Sequence, residues 1–319
     1  MTISQEKKEE QSLRLESVTW GDLTWVNIEQ PTKRETEYLA KSYPFHLYDL
    51  DDCLSRKQRP KIDEYKDYLF LVLHFPRYHK EARITTPSQV SVFIGEKYVI
   101  TLHRGELKPL VKLFRQCQID EDARQEHLSQ GSGYLLYRII DRLVDYLFPI
   151  LDKILESVDN IEDSVFDEKV EVAEDLAVLR RDIITQRRII WPMRAVIGSL
   201  EPKLKRFSTV DLSVYFGDTV DHVDKVWDTL DECKEIIEVF KDSDYTLSAE
   251  RLNHIMRVLT IISTMMLPLI VISGLWSMNV PLPFGANPGG SPYVFVAMVI
   301  VLLSVVGGML YFFHRKRWI

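Results

Sequence analysis

The stretch Val258–Asn279, VLTIISTMMLPLIVISGLWSMN, decides how the chain is read. Its first 19 residues, Val258 to Trp276, carry no charge, close to the ~20 that a helix needs to cross a bilayer. A second uncharged run, Tyr293 to Phe313, follows a short connection. Two such runs in tandem close a chain that is 27% charged. They predict a helical hairpin in a membrane rather than core helices of a soluble domain.

The basic residues orient the hairpin. Arg251 and Arg257 precede the first run, Arg315, Lys316 and Arg317 follow the second, and Ser277 to Pro292 contains no Lys or Arg. By the positive-inside rule both ends face the cytoplasm and the loop faces outward. The expected location is the inner or plasma membrane of the cell, with both termini cytoplasmic. The polar start, MTISQEKKEEQ, does not read as a signal peptide. Cys53, Cys117 and Cys233 lack CxxC spacing, so neither a disulfide framework nor a zinc knuckle is expected. A net charge of −7 and no basic run in the body give no nucleic-acid partner.

Upstream of the spans, LTWVNIE (Leu23 to Glu29) alternates as a strand, and Lys33 to Ser42 suggests a short helix. FHLYDLDDCLSRKQRPKID reads as a polar connection before the apolar, β-rich YLFLVLHFPRY (Tyr68 to Tyr78). Gln89 to Leu102 reads as a hairpin around Gly95-Glu96-Lys97. The expectation is an α/β domain over 1–130, a long-helix region over 131–250 and a membrane domain over 251–319. Within the helical region, Tyr134 opens some thirty residues of helical period with Pro149 as a candidate kink. Val172 to about Leu200 gives a second long helix. Ten acids against two lysines between Asp152 and Asp175 concentrate negative charge there.

Asp211 to Trp276 has no proline before Pro268, predicting one helix of roughly 100 Å at 1.5 Å per residue. Phe216, Val223, Leu230 and Ile237 recur every seven residues, with Val226, Cys233, Phe240 and Leu247 three positions on. This is a coiled-coil-like seam. Further along, Asn253, Met256, Thr260, Ser263, Leu267, Ile270 and Gly274 fall on one stripe mixing small polar and large apolar groups. Two spans per chain cannot enclose an aqueous path, so conduction requires an oligomer with this stripe at its axis.

No carboxylate occurs after Arg251, so an ion in the membrane would meet only amide, hydroxyl and carbonyl oxygens. That suits Mg²⁺, which gives up its water reluctantly. A divalent charge falling through 100 mV gains about 4.6 kcal/mol, so no nucleotide is required. No GxxxxGK[ST] motif, nucleophile–base pairing or cofactor loop is present, and neither an enzyme nor an organic cofactor is expected.

The first span ending in SMN, a short loop, a second span and the basic HRKRW resemble the CorA family of metal-ion transporters, whose signature at this place is Gly-Met-Asn. QRPK (58–61), QVSVFIGEKYVITL, YLLYRIIDRLVDYLF, IIWPMR, YFGDTVDHV and MRVLTIISTMMLPL are similar to blocks of that family in the same order. The resemblance implies a homopentamer: an α/β cytosolic funnel with long helices, a two-helix transmembrane hairpin and a pore lined by the first span. Asn279 would form the ring at the outer mouth that meets the hydrated ion, with Ser277 and Met278 shaping it. Asn253, Met256, Leu259, Ser263, Leu267, Ile270 and Gly274 would line the pore, Met256, Leu259 and Leu267 falling at the hydrophobic constriction. Asp218 would sense intracellular Mg²⁺ with Asp52 of the next subunit, and Asp51, Asp141 and His222 would surround a second ion. Asp218 and His222, four residues apart on a helix, share a face.

Three departures from the family pattern stand out. Serine replaces the signature glycine, the loop 277–292 has no acid, and Ile270 stands where relatives often have threonine. The leading expectation is uptake of Mg²⁺, with Co²⁺ or Ni²⁺. The others are a zinc or zinc/proton-coupled transporter of the same superfamily, and a non-conducting membrane-tethered Mg²⁺ sensor.

Overall fold

The computed structural model describes residues 13–55, 58–79, 83–165, 172–278 and 292–318. The chain divides into two compact units, Met1–Lys241 and Asp242–Ile319.

The first unit is built on a six-stranded sheet of order β1-β2-β6-β5-β4-β3. Its strands are β1 (Leu15–Trp20), β2 (Leu23–Glu29), β3 (Lys61–Glu64), β4 (Tyr68–His79), β5 (Ile84–Gly95) and β6 (Tyr98–His103). Only β2 and β6 run parallel. The period of two sorts its side chains. Leu69, Leu71, Leu73 and Phe75 of β4 join Val90, Val92 and Ile94 of β5 in one core, while Phe70, Val72 and Phe93 enter a second core on the other face. With both faces covered, β4 reads as one continuous apolar run. In the β5–β6 hairpin the Tyr98 ring lies over Gly95, where a Cβ would sit 2.5 Å from Tyr98 Cζ, so any side chain there would have to displace the ring.

The smaller core is roofed by α1 (Lys33–Ser42) and α2 (Leu47–Leu54). Thr32 and Glu35 start α1 with a reciprocal capping box. The expected polar connection at 45–63 therefore contains α2 and β3. Eight residues are too few to show a helical period, yet Asp49, Leu50 and Cys53 point inward.

The larger core is covered by α3 (Lys108–Ile119), α4 (Glu121–Leu128), α5 (Ser132–Asp145), α6 (Leu147–Val165), α7 (Ala173–Gly198), α8 (Leu200–Leu204) and the N-terminal part of α9 (Ser213–Trp276). The thirty-residue helix expected from Tyr134 is two helices, parted at Tyr146. Pro149 explains the break: its ring clashes with the carbonyl four residues back, that of Asp145, and it has no N–H to offer. Pro192 is tolerated inside α7.

All of Phe216, Val223, Leu230 and Ile237 in α9 are buried, as are Val226, Cys233 and Phe240, so the seven-residue seam holds to Phe240; Leu247, expected to continue the second row, is only half-buried and lies in the second unit. Burying each large side chain contributes about 1.5–3 kcal/mol. Beside the seam runs a ladder of ion pairs to α7: Arg180–Glu238 at 3.8 Å, Arg187–Asp231 at 2.5 Å, and Arg194–Asp224 with Nη2 2.8 Å from Oδ2. Each rung lies seven residues on in one helix and seven back in the other, which fixes α7 and α9 as antiparallel neighbours in a single register. The three cysteines are free and buried.

The second unit holds the C-terminal part of α9 and α10 (Pro292–Arg315). These two helices are long and apolar enough to cross a membrane. The chain leaves α10 through a turn in which Trp318 N–H donates to Phe313 O (3.0 Å) and its ring stacks on that of Phe313.

Candidate cation-sensing and pore residues

Helices α5 and α9 bring three of the expected residues together in the first unit. His222 Nε2 lies 3.8 Å from Asp218 Oδ1 one turn earlier, and His222 Nδ1 lies 3.9 Å from Asp145 Oδ1 on α5. These are ion-pair distances rather than hydrogen bonds, and His222 Nδ1 is buried without a hydrogen-bond partner. The Phe148 ring meets the imidazole edge-on at 5.3 Å. Asp141, one turn before Asp145, belongs to the same group. Burial, and then the charge of Asp145, holds its carboxyl above the usual range, against the pull of Arg138 and His222. The cluster is therefore Asp141, Asp145, Asp218 and His222. Asp145 was missed from sequence although it lies four residues from Asp141, the spacing that puts both on one face.

The other two expected sensors lie on α2. Asp51 is exposed, and no hydrogen bond or ion pair joins it to Asp141 or His222 among the described residues. Asp52 Oδ2 pairs with Lys61 Nζ at 2.7 Å and Asp52 Oδ1 accepts from Gln58 Nε2 at 2.6 Å. Lys61 also contacts Asp63. Burial works against the Lys61 charge, yet hydrogen bonds to Asp52 and Asp63 prevail and raise its pKa. Asp49 completes an acidic trio, with single oxygens of Asp49, Asp52 and Asp63 within 4.8 Å of one another. Tyr65 and Tyr68 donate to Asp49 (3.2 and 3.1 Å), and burial raises its carboxyl pKa in spite of them. Lys61 sits inside the QRPK block; the strand carrying it was the missed signal.

In the second unit the stripe on α9 is uncovered. Met256 is 54% exposed, Leu259 56%, Leu267 65% and Ile270 66%, and Asn253, Ser263 and Gly274 are exposed too. Residues off that stripe are exposed as well, Leu252, Ile255, Ile262 and Val271 among them, while Ile261 is buried. The helix ends at the signature. Ser277 N–H donates to Ser273 O (3.1 Å), the Ser277 hydroxyl donates to Gly274 O (2.9 Å), and Met278 N–H reaches Leu275 O at 3.4 Å. Ser277 is not in the left-handed region that would demand glycine. Asn279 and the loop 279–291 lie outside the described residues.

An α/β body whose last helix continues into a long apolar segment, followed by a second apolar helix, defines the class: a protein with two candidate membrane spans. The model of the CorA-like Mg2+ transporter protein family matches residues 20–315. YfjQ of Bacillus subtilis, a protein named as a metal ion transporter, is 32% identical over 314 residues, 96% of this chain and 94% of that one. The cobalt/magnesium transport protein CorA of Thermotoga maritima is 28% identical over 302 residues, 93% of this chain and 83% of its own. The complete structure of the CorA magnesium transporter from Methanocaldococcus jannaschii superposes with a TM-score of 0.79 at 22% identity, covering 95% of this chain and 94% of that one. The chain belongs to the CorA-like Mg2+ transporter family.

Proposed function

We propose that the chain assembles as a homopentamer that carries Mg²⁺, and with it Co²⁺ or Ni²⁺, down the membrane potential into the cytoplasm. The observation that carries this reading is membership of the CorA-like family over residues 20–315, together with the mixed composition of one α9 stripe, from Asn253 through Met256, Leu259, Ser263, Leu267 and Ile270 to Gly274. Such a face, mixing small polar and apolar groups, has no reason to meet lipid alone; around a common axis it lines a pore. Ser277, Met278 and Asn279 form the outer mouth, where neutral oxygens hold the ion with its water in place. Both termini and the first unit are cytoplasmic. Domain limits near 130 and 250 divide the α/β, long-helix and membrane parts.

Intracellular Mg²⁺ gates the pore by bridging Asp218 of one copy and Asp52 of the next, two residues that no hydrogen bond or ion pair joins within one chain among the described residues. A second ion is held by Asp51, Asp141 and His222. The support is the raised pKa of Asp141: acids crowded and desolvated in this way gain most when a cation arrives. With ions bound the copies are held together; without them like charges separate the long helices.

The test is Mg²⁺ entry into proteoliposomes read by an internal dye. Native protein gives potential-driven entry blocked by cobalt hexammine, and Asn279→Ala loses it; undiminished flux in that variant removes the assignment of the outer ring. Parallel Zn²⁺ and Co²⁺ entry, with and without a pH gradient, separates a zinc/proton transporter. No flux for any ion, with metal-dependent protease protection intact, identifies a non-conducting sensor.

A further inference from the structure

We propose that the cavity between α7, the adjoining sheet edge and the cytosolic part of α9 is a binding site for a nucleoside phosphate. The cavity has a volume of about 1100 Å³ and lies wholly within the first unit. Its chemistry is set by Arg59, Arg188 and Trp191, with His74 at its floor and the Arg194–Asp224 pair at its α9 side.

The first argument is charge. Helix α7 carries five arginines. Arg180, Arg187 and Arg194 are paired with Glu238, Asp231 and Asp224, and Arg181 donates to the Arg83 carbonyl (3.4 Å). Arg188 alone among them has no protein partner among the described residues, and neither has Arg59 across the cavity. The acid lining the cavity, Asp224, is already engaged through both oxygens by Arg194. Two guanidiniums thus face an open space with no counter-charge. Their planar forks suit phosphate oxygens, which accept two parallel hydrogen bonds from each.

The second argument is the aromatic surface beside that charge. Trp191 follows Arg188 by three residues, so both project from one face of α7. It is 55% exposed, and it is held rigid: its ring packs on Trp227 at 4.8 Å, and the guanidinium of Arg187 lies 4.7 Å from the Trp227 ring centre. A fixed indole open to a cavity is a stacking platform for a planar base. An inorganic anion would leave it unused, and an uncharged aromatic molecule would leave both guanidiniums unused. A nucleoside phosphate uses all three groups, and its size matches the space.

The chain has no GxxxxGK[ST] loop, so the ligand proposed is one held rather than hydrolysed. Gln58, whose amide donates to Asp52 at 2.6 Å, also lines the cavity, as does Val220, two residues past Asp218. Occupancy would therefore be felt at both residues assigned above to Mg²⁺ sensing, although binding itself does not depend on that assignment.

The test is calorimetric titration of the full-length protein in detergent, stripped of divalent ions so that chelation by ATP is not mistaken for binding. ATP is compared with adenosine and with inorganic triphosphate. ATP should bind saturably, and both fragments at least about tenfold more weakly, because each loses either the stacking or the charged contacts. Arg188→Gln and Trp191→Ala should each weaken ATP by about tenfold or more, Trp191→Phe by less, with melting temperatures held. Arg59→Gln, at an exposed position, provides a second charge variant that leaves the α7 packing alone. Absence of saturable ATP binding overturns the proposal. So does full affinity in both Arg188→Gln and Arg59→Gln, or triphosphate binding as tightly as ATP.

Discussion

Lys61 holds Asp52: its ammonium nitrogen lies 2.7 Å from Asp52 Oδ2 and reaches Asp63 as well. The trio Asp49, Asp52 and Asp63 has the crowding of a divalent-cation site, but its positive charge is supplied by the chain itself. Any ion that bridges Asp52 to Asp218 of a second copy must compete with that ammonium. Lys61→Met should therefore lower the Mg²⁺ concentration giving half-maximal protection against chymotrypsin by up to about fivefold, the scale of one part-exposed ion pair. Adding Asp52→Asn should abolish the gain. Protection that is unmoved by Lys61→Met would show that Asp52 is not the residue the metal meets.

The Arg180, Arg187 and Arg194 ladder gives a graded expectation. Arg180–Glu238 is open to solvent and long, so Arg180→Ala should cost less than about 0.5 kcal/mol. Arg187 is only 21% exposed, pairs with Asp231 and also covers Trp227, so Arg187→Ala should cost about 1–2 kcal/mol. The reversal Arg187→Asp with Asp231→Arg should recover part of that loss in thermal unfolding. Equal costs at 180 and 187 would mean that the ladder is surface decoration and that the apolar seam alone sets the register.

Where sequence and structure agree or part follows from how much local signal each segment carries. Leu23–Glu29 and Lys33–Ser42 were legible to the residue, the strand from its approximate alternation and the helix from its own short stretch, whose start the structure shows to be a Thr32–Glu35 capping box. The seam from Phe216 to Phe240 was legible because seven-residue recurrence has few other causes. The α2–β3 segment was not, since eight and four residues give no period, and its stability comes from Leu50 and Cys53 meeting the sheet. The break at Tyr146 was signalled by Pro149, but three residues downstream of where the chain yields. For the carboxylate–histidine cluster, Asp218–His222 could be read as one helical turn. Asp145 joins them only because α5 packs against α9, which is a tertiary fact.

Buried His103 makes stability depend on pH. Its Nδ1 accepts from Gly105 N–H (2.9 Å), so Nε2 carries the proton given to Asn27 Oδ1 (2.8 Å), and the ring is held neutral. Burial lowers its pKa to about 4. The unfolded chain, with an ordinary histidine near 6.5, binds the extra proton between those values. Stability therefore falls as pH drops from about 6.5 toward 4, by at most about 3 kcal/mol for this one group. His103→Gln should flatten that part of the melting-temperature profile while lowering stability at pH 7. An unchanged slope would assign the acid sensitivity to other groups, His74 and His127 among them, which burial also holds below the usual histidine range.

Ser277 is the sharpest departure from the family signature, and the end of α9 shows how it is accommodated. Glycine is required where the backbone turns left-handed or where another chain passes close. The first condition is absent, because Ser277 keeps an ordinary φ. The hydroxyl instead donates to Gly274 O at 2.9 Å, satisfying one of the carbonyls that a helix end leaves open. Serine thus fits this turn on local terms, and the second condition becomes the experiment. If the copies leave room at the mouth, Ser277→Gly should change Mg²⁺ entry by no more than about tenfold, since one hydrogen bond contributes about 0.5–1.5 kcal/mol. Ser277→Val, which adds a branched side chain and removes the donor, should lose flux while leaving thermal stability near native. A large rise of flux in Ser277→Gly would mean that the serine obstructs a close approach between copies, and that the native chain is tuned for slow or selective passage.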